Sequence, residues 1–299
     1  MILFLGNGFI AKALSARLSA GNVEHWIVSN DIDNEPPAHI QADINCLKAN
    51  DSVLDGIETV FYFAHSSVPF SSMQNIGEDA EQNILTAISL FQIFAKRRVR
   101  VIYISSGGSV YGNHDGVITE ASLPVPISAY GVGKYAIENY LRLFHHNYGL
   151  PHDILRLSNV YGVGQKNDKP QGIICALARA FTKKEKFAIW GDGTAKKDYL
   201  YIDDVADALM KVAAASPSND TFNISRGESI SILEIISLFE KHFGHKIEIE
   251  TRPHFDFDVQ NVFLDSEKFV NAYDWRPETD IEMGIKKTIE WLTGPTDQG

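Results

Sequence analysis

The chain has 299 residues, 44% of them hydrophobic, and sets 27 Lys and Arg against 38 Asp and Glu for a formal net charge of -11. That is enough apolar material for a large core, in one big domain or two coupled ones, and the acidic balance argues against nucleic acid as a main partner, because phosphate backbones are held by clustered cations. No apolar run approaches the ~18 residues of a membrane span, Met1 opens directly onto an apolar strand, and Cys46 and Cys175 stand far apart without metal-ligand spacing. No membrane partner, no metal and a cytoplasmic location are expected.

The first half alternates short apolar runs with helical stretches. Ile2–Leu5 reads as a strand and Ala11–Ser19 as a helix, followed by strands at Trp26–Val28, Val60–Ala64 and Val101–Ser105. Between the last two, "EDAEQNILTAISLFQIFAKRR" carries a wide apolar face through Ile84, Leu85, Ile88, Phe91, Ile93 and Phe94. Its basic end, Lys96-Arg97-Arg98, reads as cations favoured at a helix C-terminus. "YAIENYLRLFHHNYG" is a second long helix, closed by Gly149 and Pro151, and Ile154–Leu157 is one more strand. Near-continuously apolar strands separated by helices imply a parallel sheet covered on both faces, an α/β fold. After Tyr161 the rhythm loosens. A polar loop, "GVGQKNDKPQG", leads to the helix "GIICALARAFTKKEK" and then to a strand, turn, strand and helix in "FAIWGDGTAKKDYLYIDDVADALMKV". An amphipathic helix in "SISILEIISLFEKHFG", a strand in "KIEIETRP" and a closing helix in "DIEMGIKKTIEWL" complete the chain.

Two stretches carry chemistry. "GNGFIA", Gly6 to Ala11, lies between the first strand and the first helix. Glycines there serve either a plain tight turn or the close approach of a pyrophosphate to a helix N-terminus. The second strand some 20 residues on supplies the context of a dinucleotide fold. The acid that reads a ribose then belongs at the end of "HWIVSNDID", at Asp31 with Asp33 behind it. No Lys or Arg stands between Arg17 and Lys48 to hold a 2′-phosphate, so NAD is expected over NADP. In "SAYGVGKYAIENYL", Tyr130 and Lys134 are four apart and share a helix face. A lysine ammonium beside a phenol favours the phenolate and would lower the tyrosine pKa toward neutrality, as proton transfer at an alcohol or ketone requires. The Ser/Gly loop "SSGGSVYG" stands at the carboxyl end of a strand, the edge where open parallel sheets bind ligands.

These residues resemble the extended short-chain dehydrogenase/reductase family, the nucleotide-sugar epimerases and dehydratases, over nearly the whole chain. "GNGFIA", with Gly6, Gly8, Phe9 and Ile10, is similar to the family's glycine motif in its shorter spacing, Ala11 replacing the last glycine. "ADI" resembles the adenine-contacting segment, which implies Asp43 and Ile44 at the cofactor; "FYFAHSSV" resembles the strand whose Ala64 lines it, with Asn83 on the helix behind. "YGVGK" supplies the catalytic pair, and "RLSNVYGVGQ", "IWGDGTAKKDYLYIDDVADAL" and "FNISRGES" resemble later signatures. The resemblance implies a Rossmann-type doubly wound parallel sheet over 1–160, with segments near 195–215 returning to it, and a smaller lobe mainly in 161–299 for a sugar nucleotide. It further implies that Asn159 and Arg252 contact the substrate diphosphate, that Lys197 stands where relatives usually carry Arg, and that two copies pair as a homodimer through the helices around 83–97 and 130–148.

The chain departs from the family pattern at Gly107, where many relatives carry the catalytic Ser or Thr. Ser106 and Ser109 flank it, and Ser109, just before Val110, is the favoured replacement. Dehydratases carry an Asp-Glu pair, and decarboxylases a Glu, directly before "VYG"; here those positions are Gly108 and Ser109. What remains is redox chemistry at one carbon. A nucleotide-sugar 4-epimerase is expected first, a nucleotide-4-keto-sugar reductase second, and a non-catalytic dinucleotide binder last.

Overall fold

The computed structural model describes residues 1–30, 39–165 and 172–294. In chain order its strands are β1 (Ile2–Leu5), β2 (His25–Ser29), β3 (His39–Gln41), β4 (Thr59–Tyr62), β5 (Arg100–Ser106) and β6 (His152–Leu157), then β7 (Asn159–Tyr161), β8 (Phe187–Trp190), β9 (Lys196–Tyr201), β10 (Thr221–Ile224), β11 (Ser229–Ser231) and β12 (Ile249–Arg252). Seven of them form one sheet in the order β10-β6-β5-β4-β1-β2-β3, with every neighbouring pair parallel. β11-β9-β7 and β12-β8 are two small sheets beside it.

Alternation along the central strands sends side chains to two apolar layers. On one face Leu3, Leu5, Val60, Tyr62, Val101 and Tyr103 meet helices α2 (Thr86–Arg97) and α3 (Ala129–Tyr148). On the other, Phe4, Phe61, Ile102 and Leu155 meet α1 (Phe9–Ala20) and α5 (Ile202–Ala214). Between α3 and α5 in the chain, α4 (Ile173–Lys183) packs with the small sheets around Phe181, Phe239 and Ile285, the core of the smaller lobe. The sheet is thus doubly wound.

The strand order reverses between β1 and β4: β1 is followed by β2 on one side, while β4 and β5 lie on the other. A crevice opens at the carboxyl ends of the strands at such a switch point, and Gly6 and Ala64 stand there. The basic run after α2 is absorbed locally. Arg97 pairs with Asp51 and Asp55, and Arg100 is buried against Asp153 at 2.5 Å. Two features depart from the sequence pattern. The seventh strand of the main sheet, β10, lies beyond the segment near 195–215, inside the half assigned mainly to the smaller lobe. The helical stretch before α2 is interrupted by a π turn at Glu81–Leu85. Among the described residues no helix is long and apolar enough to cross a membrane.

Candidate active site

The glycine turn is built to receive an anion. Gly6 sits at φ +101°, in the left-handed region, and a Cβ there would come within 3.1 Å of the Ala64 backbone nitrogen. Gly8 is the N-cap of α1; it offers no side-chain cap, no acid stands in the first turn, and a Cβ on it would meet nothing within 4 Å. The leading N–H groups of this twelve-residue helix have no side-chain cap among the described residues. The pyrophosphate of a dinucleotide fits this cradle. α3 makes the contrast: Ser128 and Ser72 accept from the N–H groups of Gly131 and Tyr130, so its own first turn is spoken for.

At the end of β2 the Asn30 amide donates to Asp43 at 3.4 Å, and Asp43 accepts from the Asn45 backbone and side chain at 2.8 and 2.6 Å. The Asn45 backbone bond foremost holds the Asp43 carboxyl below its ordinary range. Ile44 packs onto the sheet core, and Phe9 and Ile10 turn toward the core of the smaller lobe. Asp31 and Asp33 lie outside the described residues.

Tyr130 and Lys134 do stand together on one face of α3, the lysine nitrogen 5.7 Å from the tyrosine ring centre. The surroundings of Tyr130 work against the lowering that the spacing suggests. Tyr130 is half-buried, and desolvation between the cleft walls pushes its phenol up to about 12, with the Asp79 carboxylate adding to the rise. Lys134 is 3% exposed and donates to the Ile104 carbonyl at 2.8 Å. Burial pulls its ammonium down to about 7, so the charge meant to stabilise the phenolate is itself disfavoured. The Ser106 side chain acts on the phenol in the opposite sense, favouring its charged form. Of the two flanking serines, Ser106 is the one that acts on the phenol. Ser106 ends β5 and makes no capping bond to the short helix Gly107–Val110, which leaves its hydroxyl for Tyr130; Ser109 lies within that helix.

The π turn explains Asn83. Its side chain takes up the Asp79 carbonyl at 2.8 Å and reaches across to Ser66, accepting from its N–H and donating to its hydroxyl, both at 2.9 Å. Asn83 thus anchors the loop after β4 rather than facing open space itself. That loop carries Ala64 and, next to it, His65, whose ring packs edge-on against Tyr130.

On the other side of the cleft, Asn159 donates to the Asp198 carbonyl at 2.9 Å and lies against Gly108, where a Cβ would come within 3.3 Å of its side chain. Lys197 is paired with Asp258 at 2.9 Å and donates to the Val259 carbonyl. Arg252 ends β12, exposed, paired with Glu250 at 3.0 Å and lying over the Trp190 ring. Both cations are held by carboxylates of their own lobe.

A sequence model of the NAD dependent epimerase/dehydratase family matches residues 2–225. The chain belongs to that family. Across its length it is 29% identical to a putative UDP-glucose 4-epimerase of Methanocaldococcus jannaschii, covering 98% of both chains. It is 28% identical to a dTDP-4-dehydro-6-deoxyglucose reductase of Escherichia coli over 95% of both. Among solved structures it superposes with a TM-score of 0.91 on a UDP-glucose 4-epimerase of Thermotoga maritima, crystallised with UDP-glucose, at 28% identity over 97% of this chain and 98% of that one. This member of the family is an NAD-dependent enzyme, and the cradle at Gly6–Gly8 agrees with that cofactor.

The structure sets Ala64 against Gly6 and, through the neighbouring His65, beside Tyr130 and Lys134, while Asn159, expected at the substrate diphosphate, lies against Gly108. Sequence reasoning missed His65 and Asp79. The signal for His65 was a titratable residue directly after Ala64; nothing in the order of residues told that it would meet Tyr130, 65 positions away.

Proposed function

We propose that this family member is a nucleotide-sugar 4-epimerase, using Tyr130 and Lys134 for proton transfer at the sugar's C4 hydroxyl. The observation that carries the reading is the Tyr130–Lys134 pair on one helix face, the lysine nitrogen 5.7 Å from the tyrosine ring centre, beside a loop whose Gly108 and Ser109 offer no second acid or base. Elimination of water needs groups at two neighbouring carbons, whereas epimerisation needs one proton carrier.

NAD held at the Gly6–Gly8 turn would supply the acceptor and donor of hydride. The chain's own groups handle the proton. Tyr130 at about 12 and Lys134 at about 7 are each penalised for carrying charge alone in this cleft. Charging both together, phenolate beside ammonium, offsets much of that penalty, so the pair titrates as a unit. Tyr130 then accepts the C4 hydroxyl proton while Ser106 supports the oxygen, and returns it when the opposite face is reduced. Asn159, Lys197 and Arg252 are assigned to the diphosphate; the two cations would exchange Asp258 and Glu250 for phosphate oxygens, a guanidinium fork suiting that role.

The E. coli relative favours a second reading, a 4-keto reductase in which the same atoms run one way. Cofactor accounting separates the two. An epimerase interconverts two sugar nucleotides with catalytic NAD and no net change in NADH absorbance, and carries deuterium from C4 of one epimer to C4 of the other. One NADH or NADPH consumed per product, with no conversion of UDP- or dTDP-hexoses, establishes the reductase instead.

The outer sides of the π turn and α3 present Leu85, Val132 and Leu143 at 56%, 51% and 49% exposure. These faces support a homodimer, whose sedimentation would give a mass of twice 33.3 kDa; a monomer at micromolar concentration refutes it. The free thiols of Cys46 and Cys175 suit a cytoplasmic location.

A further inference from the structure

The loop that follows β4 places a histidine beside the reactive phenol. The imidazole of His65 stands edge-on to Tyr130, with ring centres 4.7 Å apart and planes at 81°. Both of its nitrogens are buried, and neither has a hydrogen-bond partner among the described residues; Ser67 Oγ, two residues on, is in the same condition. Burial, and then the charge of Lys134, hold its pKa well below the ordinary value, so the ring is neutral. Its placement is firm, because Asn83 pins the adjacent Ser66 through two hydrogen bonds. Across from it is Gly133 of α3, where a Cβ would lie 3.9 Å from the imidazole and 3.7 Å from the Asp79 carboxylate.

A neutral imidazole carries one donor and one acceptor, and burying both without partners costs each its hydration. Buried polar groups in native proteins are nearly always satisfied, so each exception asks for a cause. Here the cause follows from position. The imidazole lies directly against Tyr130, beside the phenol at which the proposed reaction puts the oxidisable carbon. A hydroxyl, donor and acceptor at once, matches a neutral imidazole; a phosphate, acceptor only, matches a cation.

We propose that His65 is a sugar-positioning residue, hydrogen-bonding a hexose hydroxyl adjacent to the reacting carbon while Tyr130 holds the C4 oxygen. The inference rests on the nucleotide-sugar reading above. It predicts an effect confined to the sugar, absent for the bare nucleotide and for the cofactor.

The test compares wild type, His65→Phe and His65→Gln for turnover of UDP-glucose or dTDP-glucose, for inhibition by UDP or dTDP, and for NAD affinity by calorimetry. His65→Phe keeps a ring against Tyr130 and removes both nitrogens. It should lose about tenfold or more in kcat/KM, the scale of one or two hydrogen bonds left unmade, while NAD affinity and inhibition by the bare nucleotide change less than about twofold. His65→Gln, which restores a donor and an acceptor, should recover most of the loss. Should His65→Phe fail to fold, His65→Leu against His65→Gln makes the same comparison. Unchanged kcat/KM in the apolar variant overturns the inference, as does a loss that falls on NAD affinity, or one that His65→Gln shares in full. A wild type that turns over neither sugar nucleotide removes the function reading itself, and this inference with it.

Discussion

Four side chains stand at successive i,i+4 positions along α3, and the helix treats its two halves in opposite ways. In the second half, Glu138 is fully buried and fully matched. It accepts from Ser105 at 2.6 Å, from Arg156 at 2.9 and 2.6 Å and from Arg142 at 3.0 Å. Arg156 in turn donates to the Tyr111 hydroxyl, which donates to Asn223. In the first half, the buried Lys134 donates to one backbone carbonyl, and the Tyr130 ring meets that of His65 edge-on. Complete pairing offsets the cost of burying Glu138 and Arg156 side by side. Incomplete pairing leaves two groups whose protonation responds to what enters the cleft, which is what proton transfer needs.

The sharpest way to break this contrast is Tyr130→Phe. Removal of the one proton-carrying oxygen should cost turnover about 10²- to 10⁴-fold and leave NAD affinity and the melting temperature near wild type. A folded Tyr130→Phe enzyme that keeps most of its activity would show that the proton travels elsewhere. Next comes Glu138→Ala, which strands Arg156 in the core with its counter-charge gone. It should destabilise by about 3–5 kcal/mol, read by urea denaturation; a loss below about 1 kcal/mol would mean that the pairing is worth no more than a surface bridge.

Smaller effects sharpen the first half. Ser106→Ala removes the hydroxyl that favours the charged phenol and should lower kcat about tenfold, the scale of a single hydrogen bond to a group becoming charged, whereas Ser109→Ala should cost less. The opposite order would return the hydroxyl role to Ser109. Smallest is a slope. Lys134 releases its proton near pH 7 in the fold, against an ordinary value of 10.5. Between those values the unfolded chain binds the extra proton, so stability should rise with pH through that window. Lys134→Met, with no proton to lose, should flatten the melting temperature between about pH 7 and 9.5. Parallel curves for variant and wild type would mean that Lys134 stays charged in the fold.

How much was legible in the sequence follows the same divide. The strands β1, β4, β5 and β6 were readable as apolar runs, α3 as a stretch with a Gly149 stop, and the Tyr130–Lys134 pair as a spacing. The glycine turn was readable because a strand, two glycines and a helix lie within a few residues. These are local properties, set by backbone periodicity and by what glycine alone permits. The membership of β10 in the main sheet and the π turn that aims Asn83 at Ser66 were settled only in three dimensions. So was the sign of the Tyr130 shift: spacing promised a neighbouring cation, and burial then disfavoured that cation together with the phenolate. Desolvation depends on everything that surrounds a group, and most of what surrounds Tyr130, from His65 and Asp79 to Ser106, reaches it from distant stretches of chain.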